Sequence, residues 1–293
     1  MYYLIFSLSS ILSVAGSSIF FKRYQMRAGT GLWATAAYLF GNGVISAAIP
    51  LAILIATGTP IAATPCSLLY AFSLVIVSTL SNYYTLRAFA VGQVAIASTF
   101  SIIGSMVLSC VWGVVFLHES LNVLQIIGIV LIFAAVLLVS RKGHIGSGRG
   151  QRFYLLMIFL TAGGINILSK MHQVETNFAT VDTMNFSMWV GALRAILFGL
   201  LMPFMGKQRR AETSVDAKAW GIGAIYSLIA GSTYIVTLEM VKLLPITLTT
   251  PLSTGISLVF SAVFAWMFHH EKLNRAEIVT IILSLAGALL IIC

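Results

Sequence analysis

The chain has 293 residues, of which 59 % are apolar and only 9 % are charged. A soluble domain averages about 25 % charged residues, so this chain cannot cover a water-facing surface, and soluble enzymes are excluded. Its net charge of +9 does not indicate nucleic-acid binding, because the basic residues lie in short runs between apolar segments. We therefore interpret the chain as a polytopic membrane protein.

Taken in chain order, the apolar segments predict an all-α integral membrane fold with ten spanning helices. The first segment has no charged region before it and no A-x-A cleavage site after it, so we expect a retained helix rather than a signal peptide. The three cysteines are too widely spaced to predict a disulfide framework or a metal site. The predicted spans are residues 2–21, 31–57, 67–86, 94–117, 122–140, 153–170, 180–205, 219–239, 246–268 and 275–293.

The connecting loops carry a strong charge bias. Odd-numbered loops hold fourteen of the seventeen Lys and Arg residues, even-numbered loops hold only Lys170 and Lys242, and Arg194 lies within a span. Short basic loops stay on the cytoplasmic side of a membrane. The bias therefore predicts cytoplasmic odd loops and both termini outside. We expect the protein in the cell (plasma or inner) membrane.

The sequence also repeats itself. Residues 85–138 align with residues 237–290 at a constant offset of 152, and 18 of the 54 pairs are identical. The clearest block is His-Glu-x-Leu-Asn, which begins at His118 and again at His270. A second set of matches has an offset of 148 and pairs Gly16, Ile19, Lys22 and Gln25 with Gly164, Ile167, Lys170 and Gln173.

These matches predict two five-helix repeats, residues 1–140 and 153–293, joined by a basic, Gly-rich hinge at 141–152. Because each repeat has an odd number of spans, the second must enter the membrane from the opposite side, so the repeats are inverted. Inverted repeats are a recurrent plan of alternating-access transporters, in which the substrate binds near the midplane at the repeat interface.

Two segments carry a resemblance to a known family. Val115-Phe116-Leu117-His118-Glu119-Ser120-Leu121 and Met267-Phe268-His269-His270-Glu271-Lys272-Leu273 each end a fourth helix before a Gly/Ala-rich fifth one, and Thr250-Pro251-Leu252-Ser253 precedes the second. This pattern resembles the EamA branch of the drug/metabolite transporter superfamily. The resemblance implies that helices 1, 3, 4, 6, 8 and 9 line a central cavity, helices 2 and 7 border it, and helices 5 and 10 pack peripherally. Thr99 stands where Pro251 stands in the second repeat, so any proline kink is one-sided.

Arg194 is the strongest single candidate for a functional residue. A charge near the middle of a span costs about 2.5–3.5 kcal/mol on insertion scales, so Arg194 should face the bundle interior or water. It either holds an anionic group of a substrate, since guanidinium matches carboxylate and phosphate, or caps a backbone carbonyl or pairs with an acid. Trp189, just over one turn earlier, either stacks on a flat substrate or packs against lipid or the core.

Other charged residues favour structural roles. Glu119 and Glu271 each lie in the link before the next helix, where a carboxylate stabilises the N-terminal dipole, although a proton relay through these residues and Glu239 is an alternative. Lys22 and Lys170 favour snorkelling at the interface over attraction of substrate. The neighbouring His residues at 118, 269 and 270 do not share a helical face, so a metal site is not expected.

Polar side chains within the spans complete the candidate site. Serines and threonines recur every three or four residues along helices four and nine, where they either line a cavity or allow close helix packing. Amides and aromatic hydroxyls add hydrogen-bonding groups in helices two (Asn42), three, six and eight. The predicted substrate-binding residues are Arg194, Trp189, Asn166, Tyr83, Asn82, Ser98, Ser101, Tyr234, Thr250 and Ser253.

The sequence therefore predicts a secondary transporter of a small, amino-acid-like or anionic metabolite, working by alternating access. We expect no enzymatic activity, because the spans are almost free of acidic residues, and no ATP hydrolysis, because the chain has no Walker-type loop. No cofactor is expected. The expected partners are the substrate and the lipid bilayer, with a homodimer as a further arrangement and no nucleic acid. The alternatives are a flippase for a lipid-linked anionic headgroup and, with less support, a membrane-embedded enzyme.

Overall fold

A computed structural model describes residues 1–29, 31–90, 94–140, 149–205, 215–269 and 275–292. These residues form ten helical segments and no strand, at the places where the ten spans are predicted. The helices are α1 (Tyr2–Ala28, with a π-helical segment at Ser17–Phe21), α2 (Leu32–Thr57), α3 (Pro65–Ala90), α4 (Val94–Phe116), α5 (Val123–Ser140), α6 (Arg149–Val174), α7 (Thr183–Leu201, followed by a 3₁₀ turn at Met202–Phe204), α8 (Ala217–Leu243), α9 (Ile246–His269) and α10 (Arg275–Ile292).

Within the described residues, eight of these helices are long and apolar enough to cross a membrane. The other two, α5 and α10, contain shorter apolar stretches, Val123–Leu138 and Ile278–Ile292. The chain is therefore a multi-pass membrane protein. The full ten-span count, the inverted arrangement and the side on which the termini lie stay predictions.

The ends of the helices follow from local sequence. Gly58 ends α2 in the left-handed conformation with φ +68°, and its N–H bonds to the Ile55 carbonyl oxygen at 3.3 Å. Asp182 begins α7, since its side chain accepts a hydrogen bond from the Asn185 N–H at 2.9 Å. Asn122 begins α5 by accepting from the backbone N–H of Gln125 at 2.8 Å.

The helices pack into two compact units, and each unit contains segments of both halves of the sequence. Unit one comprises Met1–Ile11, Ile76–Val174 and Met240–Cys293, and unit two comprises Leu12–Val75 and Glu175–Glu239. This division differs from the predicted repeats and does not test their boundaries. The predicted hinge falls mostly on residues 141–148, which lie outside the described residues.

Unit one is held together by close helix contacts at glycines. A Cβ atom at Gly104 of α4 would lie 2.2 Å from the Phe159 carbonyl oxygen of α6. Gly128 of α5 and Gly287 of α10 approach each other reciprocally, since a Cβ on either would lie 2.7 Å from the carbonyl oxygen of the other. Small residues let membrane helices pack this closely without a hydrophobic driving force between them.

Unit two has the same kind of contact between α2 and α7. A Cβ at Gly43 would lie 2.5 Å from the backbone nitrogen of Ala195, and a Cβ at Gly191 would lie 2.5 Å from that of Ala47. Each helix therefore contributes two small residues, four positions apart, to the contact. The contact brings the polar residues beside these glycines within reach of one another.

Candidate functional site

Arg194 and Asn42 form a polar pair at the contact of α7 with α2. The Arg194 Nη1 donates a hydrogen bond of 2.8 Å to the Asn42 Oδ1. Asn42 is 5 % exposed and precedes Gly43, while Arg194 is partly buried and precedes Ala195. The close helix contact therefore fixes the distance between the guanidinium and the amide.

The charge of Arg194 is balanced by no carboxylate among the described residues. The ion pairs in that part of the chain are Arg27–Asp216 and Lys170–Glu119. The groups that interact electrostatically with Arg194 are instead the phenols of Tyr38 and Tyr234. A guanidinium has five N–H donors, so the neutral Asn42 amide leaves it both charge and hydrogen-bonding capacity.

Aromatic rings lie beside this pair in unit two. Tyr38 is one turn before Asn42 on α2, and its ring stacks on Tyr226 of α8 at 5.8 Å between centroids. Phe21 lies 5.0 Å from both rings. The arrangement joins a cation to a wall of aromatic and hydroxyl groups.

Trp189, predicted to bind substrate, is attached to the loop between α2 and α3. Its Nε1–H donates to the Ala62 carbonyl oxygen at 2.9 Å. Asn185, one turn earlier on α7, accepts from the Ala62 N–H at 2.9 Å. Burial raises the pKa of Asp182 at the start of α7, but hydrogen bonds to its carboxylate from Asn185 and from backbone N–H groups together lower it. The indole N–H is thus engaged by the loop.

A second polar cluster lies in unit one, where Glu119 caps α9. Its carboxylate accepts hydrogen bonds from the N–H groups of Ile246 and Thr247, both at 2.9 Å, and from the Thr247 hydroxyl at 2.8 Å. The predicted structural role of this carboxylate is confirmed, but the helix is α9 and not the following helix α5. The reason is that α5 already has its own cap, Asn122.

Lys170 lies beside this carboxylate at the end of α6. Its Nζ donates to the carbonyl oxygens of Val241 at 2.7 Å and Leu244 at 2.8 Å, and lies 3.8 Å from the Glu119 Oε1. Because Lys170 is only 5 % exposed, snorkelling to the interface is wrong for this residue. Its repeat counterpart Lys22 is exposed, and snorkelling of that residue stays a prediction. Glu271 lies outside the described residues.

The structure brings together only part of the predicted site. Arg194, Tyr234 and Trp189 lie in unit two, where Arg194 and Tyr234 interact electrostatically, and the remaining predicted residues belong to unit one. There, Asn82 donates to the Ser78 carbonyl oxygen of its own helix at 2.8 Å, and Tyr83 accepts from the Arg87 Nε at 3.1 Å. Thr250 donates to the Ile246 carbonyl oxygen at 3.2 Å. Asn166, Ser101 and Ser253 are partly buried, and the side chain of Ser98 lies outside the described residues.

Metal binding has no candidate in the described part of the chain, where no group of three or more His, Cys, Asp or Glu side chains is close enough to hold an ion. His270 lies outside that part, and nothing is described of the His269 side chain.

Sequence reasoning missed Tyr38 and Tyr226, and it named Asn42 as an amide of helix two but not among the predicted substrate-binding residues. A signal for Asn42 was present, because Asn42 and Arg194 are 152 residues apart, the same offset as the main repeat. The two tyrosines carry no such signal, since a tyrosine in a span is as readily a lipid-facing or interface residue.

Comparison with known proteins agrees with this architecture. The sequence model of the EamA-like transporter family matches residues 152–293. A solved crystal structure is similar over 99 % of this chain and 97 % of that chain, with a TM-score of 0.77 and 15 % sequence identity, which concerns the fold alone. A search of curated proteins finds no match. The resemblance predicted from the sequence is thus confirmed, since residues 152–293 match the EamA-like transporter family, a family of membrane transporters of the drug/metabolite type.

Proposed function

We propose that this transporter moves a small metabolite with an anionic group by alternating access, and that Arg194 holds that group. The observation that carries the proposal is the guanidinium of α7, which is bonded to the neutral amide of Asn42 and paired with no carboxylate among the described residues.

The energetics of the membrane favour an anionic ligand at this position. A cation within a span is costly and persists where it has a function or a partner. Asn42 can orient the guanidinium but cannot neutralise it. A carboxylate or phosphate group can do both, because its two oxygens match the guanidinium fork in a bidentate geometry.

The surroundings of Arg194 favour an organic anion over an inorganic one. Tyr38, whose phenol interacts electrostatically with Arg194, stacks its ring on that of Tyr226. Such a wall contacts an apolar body while the guanidinium holds the charged end, as expected for a carboxylate with a hydrocarbon or aromatic portion.

The repeat supports the alternating-access part of the proposal. Asn42 and Arg194 are separated by the repeat offset, and they touch. In inverted repeats related by a two-fold axis, residues on the axis meet their own counterparts, and the substrate site of such transporters lies at the repeat interface. In that case the two repeats carry different side chains at equivalent positions on the axis, the amide of Asn42 in the first and the guanidinium of Arg194 in the second.

The test is ligand-induced thermal stabilisation of the purified protein by a panel of carboxylated, phosphorylated, neutral and cationic metabolites. We expect stabilisation by members of the anionic group, lost in Arg194→Ala and weakened in Asn42→Ala. Arg27→Ala is the matched control, since it removes an exposed arginine of the same unit. The proposal would be contradicted if the anionic metabolites stabilised Arg194→Ala as much as the wild type. It would also be contradicted if only neutral and cationic metabolites stabilised the wild type. Uptake of the identified ligand into proteoliposomes then tests transport.

A further inference from the structure

A groove in unit one lies between α4 and the beginning of α6, far along α6 from Lys170. Its volume is about 660 Å³, and it is lined by Phe100, Arg152, Leu155, Leu156 and Phe159. This volume lies within the range of small-molecule sites. Four of the five lining residues are apolar, and the fifth is an arginine at one end.

The spacing of the α6 residues gives the groove a direction. Positions 152, 155, 156 and 159 follow the i, i+3, i+4, i+7 pattern of one helix face. Seven residues at 1.5 Å each correspond to a length of about 10 Å. The groove therefore offers a cationic group at the helix end and an apolar wall that runs from there into the span.

Arg152 is available to a ligand. Its side chain is exposed, and no hydrogen bond or ion pair joins it to another described residue. No Asp or Glu occurs between Ile76 and Val174 except Glu119, which lies at the opposite end of α4. Arg152 thus has no acidic neighbour on the same stretch of chain.

The same end of unit one has the composition of a membrane interface. Tyr84 of α3 packs edge-on against Phe153 at 5.9 Å and lies 6.2 Å from Tyr154. Arg87, one turn beyond Tyr84, is exposed and lies over the Tyr83 ring at 5.3 Å. Aromatic side chains and arginines together mark the headgroup level of a bilayer.

We propose that this groove binds an anionic phospholipid of the surrounding bilayer. The Arg152 guanidinium holds the phosphate, and an acyl chain lies along Leu155, Leu156 and Phe159. A basic residue at the mouth of an apolar groove between spanning helices selects an anionic headgroup over a zwitterionic one. The predicted cytoplasmic location of the loop before α6 agrees, because anionic lipids are concentrated in that leaflet.

The test is native mass spectrometry of the protein after reconstitution in vesicles of equal amounts of phosphatidylglycerol and phosphatidylcholine with identical acyl chains. We expect the wild type to retain phosphatidylglycerol with about fivefold preference, as one cation near a membrane surface provides. Arg152→Gln should lose that preference. Arg23→Gln, which removes an exposed arginine of α1 in unit two, should keep it.

Leu156→Trp provides a second variant that leaves the charge unchanged and fills the groove, so it should reduce retention of both lipids. Equal retention of the two lipids by the wild type would overturn the proposal, as would a preference that survives in Arg152→Gln. The unfolding temperature of each variant in phosphatidylcholine alone distinguishes loss of the lipid site from loss of the fold.

Discussion

Glu119 and Thr247, which are 128 residues apart, are joined by two hydrogen bonds, one from the Thr247 N–H at 2.9 Å and one from its hydroxyl at 2.8 Å. The contact ties the link after α4 to the start of α9. A turn makes it possible, because His118 adopts φ +53° and the Glu119 N–H bonds back to the Gly113 carbonyl oxygen at 3.0 Å. Together with Lys170, which binds the end of α8, this carboxylate closes one end of unit one.

Replacing Glu119 with Gln should destabilise the protein. The amide keeps the shape but loses the negative charge that the helix N-terminus and Lys170 both favour. Hydrogen bonds to charged groups contribute about 1.5–3 kcal/mol each, so we expect a loss on the order of 2–3 kcal/mol in the free energy of unfolding. Chemical unfolding in detergent measures it. Ser120→Ala changes the exposed neighbour and should have little effect; equal stability of the two variants would refute the role of the charge.

Gly113 gives a steric test of the same cluster. A Cβ at this position would lie 2.6 Å from both the Glu119 Oε2 and the Thr247 Cγ2. Alanine normally improves a helix by up to about 1 kcal/mol relative to glycine. At Gly113 we expect the opposite, a loss of about 1–3 kcal/mol, because the added methyl group displaces the carboxylate from α9.

The matched control for this variant is Gly221→Ala in α8, where a Cβ would meet nothing within 4 Å. That variant should leave the unfolding temperature unchanged or raise it. If Gly113→Ala behaved in the same way, the close contact between Gly113, Glu119 and Thr247 would not exist in the folded protein.

The sequence predicts the helices well, since each span of about 20 apolar residues carries its own signal in composition. Where the helices meet is a different matter. Gly43 and Gly191 look like any other glycines of a span, and only the folded chain reveals that they bring Asn42 to Arg194. The local position of Glu119 indicates that it caps a helix, but three-dimensional packing decides that the helix is α9, whose first residue lies 127 positions away.

The interpretation of Lys170 as a snorkelling residue fails for the same reason. Near a helix end, an isolated lysine normally reaches the interface. Here the carbonyl oxygens at the end of α8 and the Glu119 carboxylate supply the polar environment within the fold. No feature of the sequence near Lys170 reveals these partners, which come from distant parts of the chain.

Acid should remove the interaction between Arg27 and Asp216 in unit two. The hydrogen bond from the Arg27 side chain, with a further one from the Ala219 N–H, lowers the pKa of Asp216 to about 2. A carboxyl whose pKa is lowered by folding stabilises the protein above its ordinary pKa near 4, and that stabilisation is lost as the pH falls through about 2. The wild type should therefore exceed Arg27→Gln in unfolding temperature at pH 5, and the difference should shrink towards pH 2.

The exposure of the Arg27 and Asp216 side chains determines the size and the salt dependence of this difference in unfolding temperature. Both side chains are more than 40 % exposed, at 44 % and 41 %, so water screens the pair and the difference at pH 5 should be small. It should also decrease at 1 M salt, where the screening length is about 3 Å. Unfolding temperatures of both proteins in the same detergent, measured between pH 5 and pH 2 at low and high salt, test this directly. A difference that stayed constant across that range would mean that Arg27 stabilises the protein without its charge, through packing of its stem alone.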